Sequence, residues 1–312
     1  MARPGTAKLC IDLVALSSSE RCRPALPRFR AEVRQRLLTR NARAMPFRQR
    51  IASMARVLLG LYLIGNVTYR SSQSICQEVL HLNPIHEPLV ASLLTSFLDV
   101  LVAFVIFRPA LLTRITGGPD WRKSALLGVF VGAGIVASML LGSAFGLLRW
   151  SSHSINSLQW IYLIGFSTHA AISEELLCRF LVLDRLGLVI GRVASFLLQI
   201  LLFVYLHMFG PPLDLRAASH LAFGAVLIGS FYLWSGSLLG AMALHLTYDV
   251  LVSLTFGGSL DGLAIRPFVV GDNFSLLHSH QASALFMSGL SIWLLWNARR
   301  RAQAPPDTTT RQ

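Results

Sequence analysis

Eight long apolar stretches, separated by short polar connections, limit what this chain can fold into. They cover residues 51–67, 89–107, 124–148, 158–181, 193–209, 217–234, 236–256 and 281–297. Most of them are close to the roughly 20 residues that an α-helix needs to cross the hydrocarbon core of a bilayer. Charged residues make up only 14% of the chain, against about 25% in a soluble globular domain. The sequence therefore predicts an all-α fold, a polytopic transmembrane helix bundle of about eight spans.

Positive charge is concentrated at the N-terminus. Residues 1–50 hold eleven Arg and one Lys against three acidic residues, so they supply 12 − 3 = +9 of the formal net charge of +13. Basic residues that flank a span stay on the cytoplasmic side and attract anionic lipid. We therefore expect a multi-pass protein of the cytoplasmic (inner) membrane, with both termini cytoplasmic and anionic lipid bound at the basic arm.

The same pattern divides the chain into three regions. Residues 1–50 are a basic cytoplasmic arm, either an amphipathic surface helix or a disordered segment; residues 51–297 are the transmembrane bundle; residues 298–312 are a basic and polar tail. No nucleic-acid partner is expected, because the sequence has neither zinc-finger spacing nor a glycine-rich phosphate loop. The four cysteines form no CxxC pair, which argues against a thiolate zinc site.

The fourth apolar stretch contains three ionisable residues, Glu174, Glu175 and Arg179. Charges at mid-bilayer are costly, so these side chains need a polar interior. In an α-helix Glu175 and Arg179 are four residues apart on one face and can form an ion pair. Glu174 is rotated by about 100°, which leaves it as a spare carboxylate and a candidate functional group. The structural alternative is a packing ion pair beside a glutamate that reaches the membrane interface.

Two further stretches carry ionisable residues at helical spacing. His207 follows Phe203 by four positions in the fifth stretch, and Asp249 follows His245 by four in the seventh. Taken alone, each histidine is as readily explained by packing or by a hydrogen bond between helices. Together, a carboxylate and two imidazoles on three helices meet only in the interior of the bundle. Two His and one Glu are a ligand set of catalytic zinc, and either a metal ion or a carboxylate base can activate water for amide hydrolysis.

These motifs resemble those of the CAAX-protease and bacteriocin-processing (CPBP, abortive-infection) family of intramembrane proteases. That family shows EExxxR, then FxxxH, then HxxxN or HxxxD, each on its own transmembrane helix. The matching residues here are Glu174, Glu175 and Arg179, then Phe203 and His207, then His245 and Asp249. The resemblance covers about residues 120–256, the protease-like core of the predicted bundle.

The resemblance implies an endopeptidase that hydrolyses peptide bonds of membrane-associated proteins or peptides. Glu174 would activate the water, supported by Glu175, which is itself bridged to Arg179. His207 and His245 would hold a metal ion or orient the water and the tetrahedral intermediate. A metal ion held by Glu174, His207 and His245 would be divalent, and Zn²⁺ is the expected cofactor. The sequence leaves open whether the enzyme is such a metalloprotease or a metal-free glutamate protease.

Asp249 stands where family members that act on prenylated proteins carry Asn. Asn can donate a hydrogen bond to an oxyanion, whereas ionised Asp only accepts. Asp249 would then be a metal ligand, a partner that orients His245, or a protonated donor. The difference makes a prenylated substrate less expected for this chain.

The relative depth of the motifs is a geometric difficulty. Glu174 lies about 12 Å from the predicted inner end of the fourth stretch, whereas His207 lies near the outer end of the fifth. Convergence requires the fifth helix to begin later, to project beyond the membrane or to tilt.

Several other polar residues are expected to have structural roles. Asp99 either joins the polar cavity or bonds to a neighbouring helix, and His169 is a packing or supporting residue. Cys178 is expected to fill a small space in the core. His278 and His280 fall in a predicted connecting loop and are expected to be solvated.

Two other functions are compatible with the same residues. One is a non-proteolytic membrane immunity or scaffold protein of the same fold. The other is a proton- or metal-coupled transporter, because Glu and His inside a membrane also form proton relays. The sequence shows no paired repeat of the kind that many transporters have.

Overall fold

The computed structural model describes residues 46–82, 86–117, 120–143, 149–150, 155–208, 214–260, 263–265, 269–270 and 273–303. Most of the predicted N-terminal arm and part of the C-terminal tail lie outside these residues. Eight helices occupy most of the described ranges. They are α1 (Phe47–Val79), α2 (Glu87–Thr116), α3 (Trp121–Ser143), α4 (Ser157–Glu174, continued by Glu175–Leu186 and Gly187–Ile190), α5 (Arg192–His207), α6 (Leu215–Ser235), α7 (Leu238–Phe256) and α8 (Asn273–Gln303). The predicted all-α fold is confirmed, and each apolar stretch corresponds to one helix.

Five of the described helices, α1, α2, α3, α6 and α7, are long and apolar enough to cross a membrane. Helix α5 is apolar but has only 16 residues, and α4 carries the charged motif. Within the described residues, five of the eight predicted spans therefore have the length and apolar composition that a membrane-spanning helix needs. The bundle is that of an integral membrane protein.

Helix α4 differs from the prediction in both length and type. The fourth apolar stretch was expected to end at residue 181, but the helix continues to Ile190, and Glu175–Leu186 is π-helical rather than α-helical. Ten of the 12 residues in this π-helical segment are buried. They are buried because α4 contacts α1, α2, α5 and α7, which makes it the central element of the bundle.

Two short antiparallel strand pairs lie in the connections between helices. Strand β1 (Arg149–Trp150), between α3 and α4, pairs with β4 (Val269–Val270), between α7 and α8. Strands β2 (Gly258–Leu260) and β3 (Leu263–Ile265) form a hairpin in the α7–α8 connection. The β1–β4 pair joins two connections that are far apart in sequence, and the apolar pattern gave no signal for it.

The hairpin of α4 and α5 explains how Glu174 and His207 reach the same depth in the bundle. Glu174 lies 190 − 174 = 16 residues before the end of α4, and His207 lies 207 − 192 = 15 residues after the start of α5. Because the two helices run in opposite directions from a turn at Gly191 (φ 92°), these two residues reach the same level. Arg114, near the end of α2, bonds to Asp184 at 2.6 Å, so the last residues of α4 project past the end of α2.

Helices α3 and α7 approach each other closely through glycine. A Cβ atom at Gly128 would lie 2.3 Å from the carbonyl oxygen of Gly240, and one at Gly132 would lie 2.6 Å from that of Leu244. Residues four apart share one face of a helix, and small residues at this spacing let membrane helices pack closely. This contact holds α7 in place immediately beside His245.

We expect Gly128→Val to destabilise the protein by about 1–3 kcal/mol, because the added side chain overpacks the α3–α7 contact. Gly289→Val is the matched control, since nothing lies within 4 Å of a Cβ atom at that position of α8. The measurement is reversible unfolding of the purified protein in mixed detergent micelles. Equal unfolding free energies for the two variants would contradict the expected role of the glycines.

Candidate active site

Glu174 and Glu175 lie where helix α4 changes from α-helical to π-helical geometry. Glu174 is the last residue of the α-helical part, and Glu175 is the first residue of the π-helical segment. Turns of π-helix are rare and occur frequently at functional sites. The two neighbouring carboxylates have different partners in this structure.

Glu175 is fully buried and links α4 to α7. Its Oε2 atom lies 3.1 Å from Nε of Arg179, and both side chains have 0% exposure. Its Oε1 atom lies 2.9 Å from Nδ1 of His245. A buried charge without a partner is costly, so Arg179 stabilises the carboxylate that in turn holds the ring of His245.

Glu174 faces the two histidines predicted from the motifs. Its Oε1 atom lies 3.9 Å from Nε2 of His207, and its Oε2 atom lies 4.0 Å from Nε2 of His245. These distances are too long for direct hydrogen bonds, so Glu174 lies close to both rings without bonding to either. The Glu174 side chain is 19% exposed, in contrast to the fully buried Glu175. The structure thus brings together side chains from α4, α5 and α7.

The hydrogen-bond partners determine which nitrogen of each histidine is available. Nδ1 of His207 lies 2.9 Å from the carbonyl oxygen of Phe203, and a carbonyl oxygen only accepts. Nδ1 of His245 likewise donates to the carboxylate of Glu175. Nε2 is therefore the free nitrogen of both rings, and in both cases it is directed towards Glu174.

Asp249 also lies beside His245, but not in the orienting role considered for it. Its Oδ2 atom is 3.5 Å from Nε2 of His245, whereas Nδ1 is already held by Glu175. Glu175 is therefore the residue that orients the His245 ring. Asp249 lies near Nε2 of His245, the nitrogen that is also directed towards Glu174.

The FxxxH motif pointed to Phe203 as a residue of the site. Helical spacing alone did not predict which side chains it contacts. Its ring centroid lies 4.8 Å from the guanidinium carbon of Arg179, 4.9 Å from the His207 ring and 5.8 Å from the His245 ring. A guanidinium over an aromatic face is a cation–π contact. Phe203 therefore packs against three of the predicted site residues and is itself buried.

The cluster carries an excess of negative charge. Ionised Glu174, Glu175 and Asp249 contribute −3 and Arg179 contributes +1, so the sum is −3 + 1 = −2 while both histidines are neutral. Uncompensated charge in a low-dielectric interior is unfavourable. Two protons, one on His207 and one on His245, would balance it, as would one divalent cation.

The geometry of the side chains does not by itself form a metal site. Among the described residues, no group of three or more His, Cys, Asp or Glu side chains is arranged to hold a metal ion. The donor types are those that zinc prefers, but their arrangement does not provide a ready set of ligands. The Zn²⁺ ion expected at Glu174, His207 and His245 stays a prediction.

Asp99 is not part of the cluster around Glu174 but bonds to residues that hold α4 in place. It is fully buried and accepts hydrogen bonds from Thr68 at 2.6 Å and from Ser173 at 2.5 Å. His169 lies 2.9 Å from Ser96. Of the two alternatives for Asp99, the structure shows the bond between helices, and it fixes α4 at the residue before Glu174.

The placement of His280 differs from the prediction. It was expected in a solvated loop, but it lies within helix α8 and is partly buried. Its ring centroid is 5.0 Å from that of His220, and His220 Nε2 lies 2.8 Å from the hydroxyl of Tyr248. The prediction failed because helix α8 begins eight residues before the eighth apolar stretch. Neither His220 nor Tyr248 was recognised as near the site, although Tyr248 directly precedes Asp249.

A cavity of about 50 Å³ adjoins the two catalytic candidates His207 and His245. Its lining combines those two rings with Phe203, His220, Tyr248 and Asp249 and with the apolar or small residues Ile135, Leu221, Gly224, Ile228, Leu244 and Met287. Glu174 is not among its lining residues in the described part of the chain. The two histidines thus have Glu174 near one side and the cavity on another.

Comparison with known proteins gives one match. Residues 156–251 match the family model of the type II CAAX prenyl endopeptidases, Rce1-like. This range contains all six predicted site residues. No curated protein and no solved structure matches the chain significantly. The predicted resemblance to the CAAX-protease and bacteriocin-processing family of intramembrane endopeptidases is therefore confirmed over residues 156–251.

Proposed function

We propose that this protein hydrolyses peptide bonds of membrane-associated proteins or peptides, with Glu174 as the base that activates water. The main support is the position of the Glu174 carboxylate, whose two oxygens lie 3.9 and 4.0 Å from the free nitrogens of His207 and His245. A water molecule bound beside these atoms can hydrogen-bond to the carboxylate and to a ring nitrogen at the same time. The partly exposed carboxylate is the one that Arg179 leaves free.

In the proposed reaction, ionised Glu174 accepts a proton from this water, and the hydroxide attacks the carbonyl carbon of the peptide bond. The protonated Nε2 of His207 or His245 donates a hydrogen bond to the oxyanion that forms. Glu174 then returns its proton to the leaving nitrogen as the C–N bond breaks. Proton transfer by such a positioned carboxylate typically accelerates a reaction by about 10²–10⁴-fold.

Glu175 and Arg179 act as positioning residues in this scheme. The buried carboxylate keeps Nδ1 of His245 protonated, so Nε2 is the nitrogen that faces the substrate. Arg179 compensates the charge of that carboxylate at 3.1 Å. Asp249 adds a negative charge beside Nε2 of His245, which favours the protonated imidazole that the oxyanion requires.

The distribution of charge supports the proposed environment of the enzyme. We place it in the cytoplasmic membrane with both termini cytoplasmic and with anionic lipid bound at the N-terminal arm. The matching family model is named for type II CAAX prenyl endopeptidases. Asp249 is the observation that favours other membrane-associated substrates here, because ionised Asp cannot donate the hydrogen bond that Asn donates.

The test is an unbiased comparison of membrane-protein fragments in cells that carry the wild type or His207→Ala. Fragments made by the protease are expected in the wild type and absent in the variant, because the variant lacks one oxyanion donor. His86→Ala, an exposed histidine at the start of α2, is the matched control and should keep the fragments. Identical fragments in all strains, together with retained biological activity of His207→Ala, would favour the non-proteolytic immunity or scaffold function.

Metal assistance is tested on the same purified proteins. If Zn²⁺ is held by Glu174, His207 and His245, the wild type should contain about one metal ion per chain, and His207→Ala and His245→Ala should each lose most of it. His86→Ala should keep the wild-type content. Equal metal in all samples would show that these histidines are not essential ligands and would leave the glutamate mechanism.

A further inference from the structure

Helices α3 and α8 pack side by side and run antiparallel. Strand β1, which follows α3, pairs with β4, which precedes α8, so the end of α3 and the start of α8 lie at the same end of the bundle. A Cβ atom at Gly134 would lie 3.1 Å from the ring of Phe286, which places these two residues at one height. Arg122 lies 134 − 122 = 12 residues from that contact and Arg300 lies 300 − 286 = 14 residues from it. At about 1.5 Å per residue, the two arginines therefore reach nearly the same level, where α3 begins and α8 ends.

Each of these two helices carries an exposed apolar stripe that leads to its arginine. The members are Leu126 and Phe130 on α3 and Trp296 and Ile292 on α8, all of them exposed. They are spaced four and eight residues from Arg122 and from Arg300, respectively, and residues four apart share one face of a helix. The stripes thus extend about 6 and 12 Å from the arginines, within the roughly 15 Å that is half of the hydrocarbon core of a bilayer.

Both stripes lie on the same side of the contact between α3 and α8. At about 100° per residue, Phe130 is turned by about 40° from Gly134, and Arg300 is turned by about 40° in the same sense from Phe286. Leu126 and Trp296 are each turned by about 80° in that sense. Because the helices are antiparallel, equal turns about their own axes bring these residues to one side. They form one surface, the α3–α8 seam, which consists of Arg122, Leu126, Phe130, Ile292, Trp296 and Arg300.

The charged end of the seam combines the two arginines with indole rings. The distances from guanidinium carbon to ring centroid are 5.4 Å for Arg122 over Trp121 and 4.7 Å for Arg300 over Trp296. Tryptophan is enriched at the level of the lipid headgroups, and a guanidinium binds phosphate with two parallel hydrogen bonds. Within the described residues neither arginine forms a salt bridge. The seam therefore presents two uncompensated positive charges next to an apolar surface.

We propose that the α3–α8 seam binds an anionic phospholipid, with its phosphate held by Arg122 and Arg300 and its acyl chains along the apolar stripes. A phospholipid joins one negative group to two long apolar chains, which matches a surface with charge at one end only. A zwitterionic headgroup fits less well, because its own cation would lie near the arginines. The site uses none of the residues of the N-terminal arm and does not depend on the proposed protease activity.

The experiment uses the full-length protein in detergent micelles with phosphatidylglycerol that carries a photoreactive group in one acyl chain. Crosslinked residues are mapped by mass spectrometry, which separates the seam from the arm. In the wild type we expect labelling of α3 and α8 at the seam, and competition by unlabelled phosphatidylglycerol but not by equal phosphatidylcholine. In Arg122→Gln/Arg300→Gln, seam labelling at subsaturating lipid should fall by about 25-fold, because each basic residue near anionic lipid contributes about fivefold to binding.

Arg48→Gln/Arg56→Gln is the matched control, since it removes the same charge from two exposed arginines of α1, and it should keep the seam labelling of the wild type. If the seam variant does not fold, Arg122→Gln and Arg300→Gln carry the test singly, with about fivefold loss each. Equal competition by phosphatidylcholine, or equal loss in the seam and control variants, would overturn the inference. Competition by glycerol phosphate as strong as that by phosphatidylglycerol would also overturn it, because the chains would then contribute nothing.

Discussion

Replacing Glu174 by glutamine is expected to lower kcat for peptide cleavage by about 10²–10⁴-fold, the range found when a general base is lost. Glutamine has the same shape but cannot take a proton from water. The protein should stay folded, because Glu174 makes no direct hydrogen bond to His207 or His245 in the structure. The measurement is turnover of the purified protein with a peptide substrate, together with its unfolding curve.

Glu78→Gln is the control for this prediction, because Glu78 is an exposed glutamate at the end of α1. It should keep the wild-type kcat. KM is expected to change little in Glu174→Gln, since the lost proton transfer acts in the transition state. Full activity of a folded Glu174→Gln protein would mean that the bond is cut elsewhere or not by this protein.

Replacing Arg179 by methionine is expected to destabilise the fold by about 3–5 kcal/mol, because it leaves the charge of Glu175 buried without its cationic partner. Both side chains have 0% exposure, so no solvent screens the loss. The measurement is the free energy of unfolding in mixed micelles. Arg70→Met, at an exposed arginine of α1, should change it by less than about 1 kcal/mol.

The double variant Glu175→Gln/Arg179→Met separates charge from packing. Glutamine removes the buried charge while its carbonyl oxygen can still accept from Nδ1 of His245. Most of the lost stability should return, as when both members of a buried ion pair are replaced. Equal instability of the single and double variants would mean that Arg179 acts through its packing on Phe203 rather than through the ion pair.

The sequence predicted the number of helices well, because each span needs its own apolar stretch. It also predicted which residues meet, since Glu174, His207 and His245 are polar groups that the lipid cannot solvate. The predicted ends of the helices were less accurate where the chain leaves the apolar core. Helix α4 runs on to Ile190 through Asp184 and Arg185, which are paired with each other and so do not end the helix.

Other features depend on tertiary contacts that no local pattern carries. The π-helical segment follows Glu174 within a run of buried residues, whereas the prediction assumed ordinary α-helix. The hydrogen-bond partner of His245 could not be predicted from sequence spacing. Asp249 is four residues away on the same helix, but Nδ1 of His245 bonds to Glu175, which lies on another helix. The grouping of His220, Tyr248 and His280 joins three helices and needs the fold itself.

Glu174 and His207 lie almost equally far along the chain from the turn at Gly191, and this equality sets their relative height in the bundle. Lengthening α4 and α5 by equal numbers of residues would keep the two motifs near one height, whereas one residue inserted in α5 alone would shift His207 by about 1.5 Å and turn it by about 100°. Homologous chains should therefore tolerate paired length changes around this hairpin and reject single ones. The constraint that a designer of hybrid proteins would have to keep is thus the equality of these two distances from Gly191, and not the separation of 33 positions between Glu174 and His207.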